Sequence, residues 1–190
     1  MVMHLVSVVL DESGSMMGST SGVFEGVNGF FDVLREQPAN MRVSLLKFND
    51  TLAYVYRDAY LAAVEDLTPD TYHPHHGTRL HDAVLKAIAD LEPVVAQREG
   101  KATVVIVTDG HDTDSVSLVE DVKAQVEAKR QQGWKFLFFG PNEWIGEEMG
   151  VDPGDLYQLG TGPEAIRGAF EVAAEQAVKL LTAGSGPIAL

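Results

Sequence analysis

Met3-His-Leu-Val-Ser-Val-Val-Leu10, running directly into Asp11-Glu-Ser13-Gly-Ser15-Met16, is the stretch on which the fold turns. Its first part is a nearly continuous apolar run, the pattern of a strand covered on both faces in a parallel sheet. Its second part sets one carboxylate and two hydroxyls at alternate positions in a glycine-containing loop. Such compact, hard oxygens suit magnesium or manganese, which take oxygen ligands and leave positions for water or a partner's oxygen. Taken alone, Asp-x-Ser-x-Ser is also the composition of an ordinary turn.

Outward from this stretch, strands and helices alternate to the end of the chain, which predicts an α/β domain with a mostly parallel central sheet. The first strand is expected over 3–10 and the first helix over 22–36, with Val23, Val27, Phe30 and Leu34 on one face. Gly22, Gly26 and Gly29 weaken that helix by up to about 1 kcal/mol each relative to alanine, a cost that close packing on the sheet would offset. Pro38 is read as the end of the helix. Strands over 42–48 and 52–57 flank Asn49-Asp50 as a hairpin, making the second an antiparallel edge strand. One or two helical turns follow over 61–67, then an irregular loop ending in His73-Pro-His75-His76-Gly77.

A helix over 79–91 carries the stripe Leu80, Val84, Ile88, Leu91 and is predicted to stop before Pro93. Thr103–Thr108 is the most strand-like run. Ser117-Leu-Val-Glu120 reads as a capping box for a helix reaching Gln131, with Lys129 and Arg130 in its last turn. Further elements are a strand over 134–139, a short helix over 143–149, a short strand over 156–159 and a final helix over 163–181 opened by Pro163. One domain over 1–182 is expected, with a flexible Gly/Ser/Pro-tinged tail over 183–190.

Two more motifs stand where loops beside the first should lie. These are Gly77-Thr78-Arg-Leu-His-Asp82, opening a helix, and Val104-Val-Ile-Val-Thr-Asp109-Gly110, closing a strand. In this order the three motifs resemble the metal-ion-dependent adhesion site of the von Willebrand factor A (vWA) domain family, and the likeness covers about residues 3–182. The closest likeness is to stand-alone bacterial or phage members, which also show a Gly-Trp-Lys-Phe strand and a turn like Gly140-Pro-Asn142.

The resemblance implies a doubly wound, Rossmann-like three-layer sandwich of about six strands with one antiparallel edge strand, and a site at the carboxyl ends of the central strands. It implies that Ser13 and Ser15 ligate the metal directly. Asp11 and Asp109 would act directly or through water, and Thr78 would join in the ligand-competent state. The cofactor implied is Mg2+ or Mn2+. The function implied is non-enzymatic: a protein partner presenting an exposed Asp or Glu would fill the open coordination position.

Plainer readings stand beside these. Thr78 suits a helix N-cap, which is compatible with ligation. Asp109-Gly110 suits a turn at a strand end. Glu12, Asp112 and Asp114 add negative charge at the same edge. Asp112-Thr-Asp114 lacks the glycine and distal glutamate of a calcium loop and is expected to be a solvated acidic loop. His73, His75, His76, His81 and His111 fall in or beside loops at the site edge. An auxiliary zinc, nickel or copper site and pH-tuned partner binding are two readings, and exposed loop histidines without a dedicated role is the preferred one.

Composition narrows the function classes. The 190 residues suffice for one domain with a full core, and 45% apolar with 22% charged is ordinary for a soluble globular protein. A formal charge of −14 argues against nucleic acid, whose phosphates need clustered Lys and Arg. With no cysteine there are no disulfides and no thiolate metal sites. No apolar run approaches the ~20 residues of a membrane span, and the apolar start lacks a basic flank, so a cytoplasmic location is expected. An enzymatic alternative, a magnesium-dependent phosphohydrolase or phosphotransferase with Asp11 as nucleophile, is disfavoured because haloacid-type sites place a second Asp where Ser13 stands. No nucleophile elbow, His-Glu-x-x-His pair or P-loop is present. A metal-independent structural scaffold is the third reading.

Overall fold

The computed structural model describes residues 2–37 and 39–183. Its elements in chain order are β1 (His4–Asp11), α1 (Thr20–Arg35), β2 (Met41–Phe48), β3 (Leu52–Tyr60), α2 (Leu80–Arg98), β4 (Lys101–Val107), α3 (Val119–Gln131), β5 (Lys135–Gly140), α4 (Glu143–Glu148), β6 (Leu156–Gln158) and α5 (Pro163–Ala183). The six strands form one sheet in the order β3-β2-β1-β4-β5-β6. Only β2 and β3 pair antiparallel, as the hairpin signal requires. The expected three-layer α/β sandwich with one antiparallel edge strand is the observed architecture.

The apolar run of β1 explains the layers. Val6, Val8 and Leu10 enter a core with α1 and α5, whereas Leu5 and Val9 enter a second core with α2, α3 and α4. A strand's side chains alternate in direction, so a run that is apolar throughout must be covered on both faces. The strand order reverses between β1 and β4, whose carboxyl ends lie side by side. Open α/β sheets form their crevice at such a switch point.

Several local expectations change. A 3-10 turn at Gly14–Ser19 leads straight into α1, so Ser15 sits in helical rather than irregular backbone. The segment after β3 holds a single 3-10 turn, Leu61–Ala63. The predicted helix stop at Pro93 is wrong, because α2 runs on to Arg98. Pro93 and Ala89 are both exposed. The carbonyl that the proline ring leaves unbonded belongs to the residue four positions earlier, and that residue, Ala89, is on the exposed face. Val94 and Val95 pack on the second core and hold the extra turn in place. The helix stops instead at Glu99, with φ of 49° and a cap N–H donated to the Val95 carbonyl. The predicted Ser117–Glu120 capping box does not form: Leu118 is the N-cap and has no side-chain acceptor, and only its N–H donates to Asp121 at 3.4 Å. Pro38 lies outside the described residues, as does the tail from residue 184 onward.

Two of the three α1 glycines, Gly22 and Gly26, serve helix–helix packing against α5 rather than packing on the sheet. A Cβ on Gly22 would overlap the Pro163 carbonyl, and one on Gly26 would lie 2.7 Å from Phe170 Cδ2, whereas Gly29 faces open space. Gly22→Ala is therefore expected to destabilise by about 2 kcal/mol through forced separation of α1 from the start of α5. Gly29→Ala is expected to stabilise by up to about 1 kcal/mol through helix propensity. Urea unfolding of the two variants checks the contrast, and equal effects would refute this reading of the packing.

Candidate metal centre

Asp11 ends β1, and Thr108-Asp109 directly follows β4, the neighbouring strand. Parallel pairing of Leu10 with Val107 thus brings two carboxylates distant in sequence to one edge. Asp11 is fully buried. Its Oδ1 accepts from the Ser13 N–H at 2.7 Å, a turn-type bond that folds the loop back, and its Oδ2 accepts from Thr108 Oγ1 at 2.5 Å. The Thr108 hydroxyl also accepts from the Gly110 N–H at 3.2 Å. Ser15 Oγ donates to Asp109 Oδ1 at 2.6 Å and lies 3.0 Å from Ser13 Oγ. Asp11, Ser13, Ser15 and Asp109 are thereby joined in one network of oxygens.

Thr78 reaches this edge through backbone. Gly14 N–H donates to the His76 carbonyl at 3.1 Å, and His75 N–H to the Glu12 carbonyl at 2.9 Å, which ties the 73–78 loop to the Asp11 loop. On its other side, Thr78 N–H donates to Thr113 Oγ1 at 3.0 Å and Asp114 Oδ2 at 3.2 Å, and the Thr78 carbonyl accepts from Thr113 N–H at 2.8 Å. A Cβ on Gly77 would displace the Asp114 carboxylate from the Thr78 N–H. Thr78 is buried but does not cap α2 with its side chain; Arg79 occupies the cap position.

Burial pushes the Asp11 carboxyl up to about 6, against the pull of hydrogen bonds from Ser13 and Thr108 and with the charge of Asp109 adding to the rise. Burial also raises Asp109, against the Ser15 hydroxyl. Among the described residues, no side chain that bonds Asp11 carries a positive charge. A fully buried carboxylate beside a half-buried one is costly unless it is protonated or given a positive partner. Carboxylates and hydroxyls are a hard donor set, so the residues fit a magnesium- or manganese-type ion.

Some polar residues have other work than expected. Glu12 is buried, and its Oε1 accepts from Lys47 Nζ at 2.8 Å and from His73 N–H at 2.5 Å. It is a neutralised brace, not part of an open acidic edge. Asp112 accepts from the His81 N–H at 3.1 Å and from Ser115, holding the start of α2 against the loop after β4. The Asp112-Thr-Asp114 segment is thus bonded to the α2 start rather than simply solvated.

The histidines do not gather on one point, although the His75 and His76 rings lie 4.4 Å apart. His75 Nδ1 faces the His73 carbonyl and Asn49, His81 Nδ1 faces the Ser117 carbonyl, and the His111 ring lies 5.2 Å from that of Trp144. Among the described residues no group of three or more His, Asp or Glu side chains is disposed to hold a metal, which leaves the auxiliary histidine metal site without support. That criterion does not count hydroxyls and so does not bear on the Asp11–Asp109 set.

Three contributors carry no role in the sequence reading. Thr108 supplies the hydroxyl on Asp11, and as the polar residue closing an apolar strand it gave a signal. Tyr72, fully buried, donates its hydroxyl to the Asp11 carbonyl at 2.7 Å. Burial, with Asp11, Glu12 and Asp109 nearby, raises its pKa and keeps it a donor. Asp82 accepts from the Val116 and Ser117 N–H groups and from Arg79. Its only signal is an arginine three residues earlier.

A von Willebrand factor type A domain model matches residues 6–183. No curated protein matches the sequence. Among solved structures, the PilB minor pilin from Streptococcus sanguinis is similar at TM-score 0.74 and 15% identity, over 98% of this chain and 64% of the pilin. The vWF domain of the type V pili tip protein Mfa5 from Porphyromonas gingivalis is similar at 0.69 and 11%, over 99% of this chain and 98% of that one. Proximal thread matrix protein 1 from the mussel byssus, solved with a zinc-occupied MIDAS motif, is similar at 0.66 and 14%, over 93% of this chain and 46% of that one. The chain therefore spans less than two thirds of the pilin and under half of the byssus protein. At these identities the likeness is one of fold.

Proposed function

The chain belongs to the von Willebrand factor type A family, whose domain covers residues 6–183, and from that premise we propose a non-enzymatic adhesion module dependent on a divalent metal. Asp11, Ser13, Ser15, Thr78 and Asp109 would hold Mg2+ or Mn2+. The bound ion would supply a positive centre that a partner protein completes with an exposed Asp or Glu carboxylate.

The observation that carries this reading is the network of Asp11, Ser13, Ser15 and Asp109 at the switch point of the sheet, which runs from a fully buried carboxylate at Asp11 to an exposed hydroxyl at Ser15. The surrounding edge suits a protein ligand. Of the seven large hydrophobic residues exposed among the described residues, Met17, Val116, Leu118 and Trp144 all lie in segments following the carboxyl ends of β1, β4 and β5. Apolar side chains gathered on one rim mark interaction surfaces more often than scattered ones do. The phosphotransfer alternative draws no support from the site, because Asp11 is fully buried with a hydrogen bond on each oxygen and presents no nucleophile to solvent. Among the described residues no helix is long and apolar enough to cross a membrane.

Calorimetric titration of magnesium, manganese and zinc into chelator-stripped protein tests the proposal. One equivalent of magnesium or manganese is expected to bind, and Asp109→Ala to abolish it. Silence toward all three ions would favour a metal-independent scaffold. Binding of zinc alone would overturn the choice of metal.

A further inference from the structure

The helix α4 stands on the β5 side of the proposed metal centre and presents an uncommon surface. Ile145, Gly146 and Met149 are buried against the sheet, while Glu143, Trp144, Glu147 and Glu148 face solvent, with Trp144 47% exposed. Residues three and four apart share a helix face, so Glu147 and Glu148 flank the indole one turn along. Glu143 and Glu147 are themselves four apart, a like-charge pair that weakens an isolated helix. Lys123, Arg130 and Lys135 pair with Glu127, Asp152 and Asp155 rather than with these glutamates. The His111 ring, two residues beyond Asp109, lies 5.2 Å from the indole at 35° and fixes Trp144 to the rim of the centre.

We infer that Trp144, with Glu143, Glu147 and Glu148, is a cation-binding subsite that receives an arginine side chain of the same partner whose carboxylate completes the metal shell. The inference rests on the adhesion-module reading and adds a second anchor to it. An indole face attracts a cation, and neighbouring carboxylates accept its N–H groups. Guanidinium satisfies both demands because it is planar, stacks on aromatic rings and bonds carboxylates in a forked geometry. Two residues of chain, one imidazole and the ring separation of 5.2 Å place the indole no more than roughly 16 Å from the Asp109 Cα. An extended segment with its acid and its arginine about four residues apart spans such a distance. An overall charge of −14 favours a partner that brings a positive charge beside its acid over one acidic throughout.

The test pans a displayed random-peptide library against the full chain, in magnesium and again in chelator. The expected magnesium-dependent binders carry one Asp or Glu and an arginine at a recurring spacing. A synthetic copy of such a peptide is expected to bind Trp144→Ala, and separately the Glu147→Gln/Glu148→Gln double variant, about tenfold more weakly than wild type. Its Arg→Ala version is expected to bind all three proteins alike. The paired variants guard against a local folding defect, since both glutamates are exposed and touch no core. Magnesium-dependent peptides that need only the acid, or whose arginine is indifferent to both variants, would overturn the subsite and leave the adhesion reading standing. A library that yields no magnesium-dependent binder would overturn both.

Discussion

Metal-stripped protein is expected to lose stability as pH rises through about 6, and magnesium to restore it. Asp11 is the cause. Its carboxyl is raised from 3.8 to about 6 chiefly by burial, so the folded state holds a proton that the unfolded chain has released. The contribution of a raised acid is complete below the unfolded value and is lost as pH climbs through the folded one. A rise of this size corresponds to about 3 kcal/mol, or roughly 5–10 °C in Tm for a domain of this length. His4 acts in the opposite direction in the same window, because burial and Lys101 lower its pKa. The informative quantity is therefore the difference between wild type and Asp11→Asn, whose amide does not titrate. A divalent ion replaces the proton, so its apparent affinity is expected to fall below pH 6. At a hundred times its Kd the ion would return about 2.7 kcal/mol at neutral pH. Melting curves from pH 4.5 to 8, with chelator and with magnesium, read both effects. A pH profile that Asp11→Asn leaves unchanged would assign the dependence to another group.

What could be read from the sequence follows its periodicities. The apolar run of β1, the alternation of strands and helices and the Asn49-Asp50 hairpin are local patterns, and they foretold the sheet and its antiparallel edge. The Asp11, Thr78 and Asp109 motifs were legible because strand ends and helix starts in such a sheet share one edge. What was not legible depends on contacts between segments far apart in sequence. Pro93 looks like a helix stop until Ala89 is found to be exposed and Val94 and Val95 to be packed. Glu12 looks like a free acid until parallel pairing brings Lys47 beside it. Gly22 and Gly26 show no partner until α5 returns across the chain to cover them. Tyr72 sits in a segment without periodicity, and only the closed fold puts its hydroxyl on the Asp11 carbonyl.

Asp82→Ala is expected to be strongly damaging, because one carboxylate fastens the loop after β4 to the start of α2. Asp82 is 8% exposed. Its Oδ1 accepts from the Ser117 N–H at 3.0 Å, and its Oδ2 from the Val116 N–H at 3.1 Å and from Arg79 Nε at 2.9 Å and Nη2 at 2.6 Å. Burial alone would raise this carboxyl, but the bonds from Ser117, Val116 and Arg79 prevail and hold it well below the usual range. Its stabilisation is complete above the ordinary carboxylate range and is lost only as pH falls through the depressed pKa, the reverse of Asp11. Alanine strands two backbone donors and a guanidinium at once, which costs about 3–4 kcal/mol. The damage should begin in the loop that carries Asp109. Hydrogen exchange is expected to show lost protection at Val116 and Ser117 before the sheet is affected, with weaker magnesium binding as the consequence. Arg79→Ala should cost less, since the two N–H donors keep their acceptor, and the double variant should fall short of the sum because the two share one network. Unchanged protection at Val116 and Ser117 in Asp82→Ala would show that the loop is held from elsewhere.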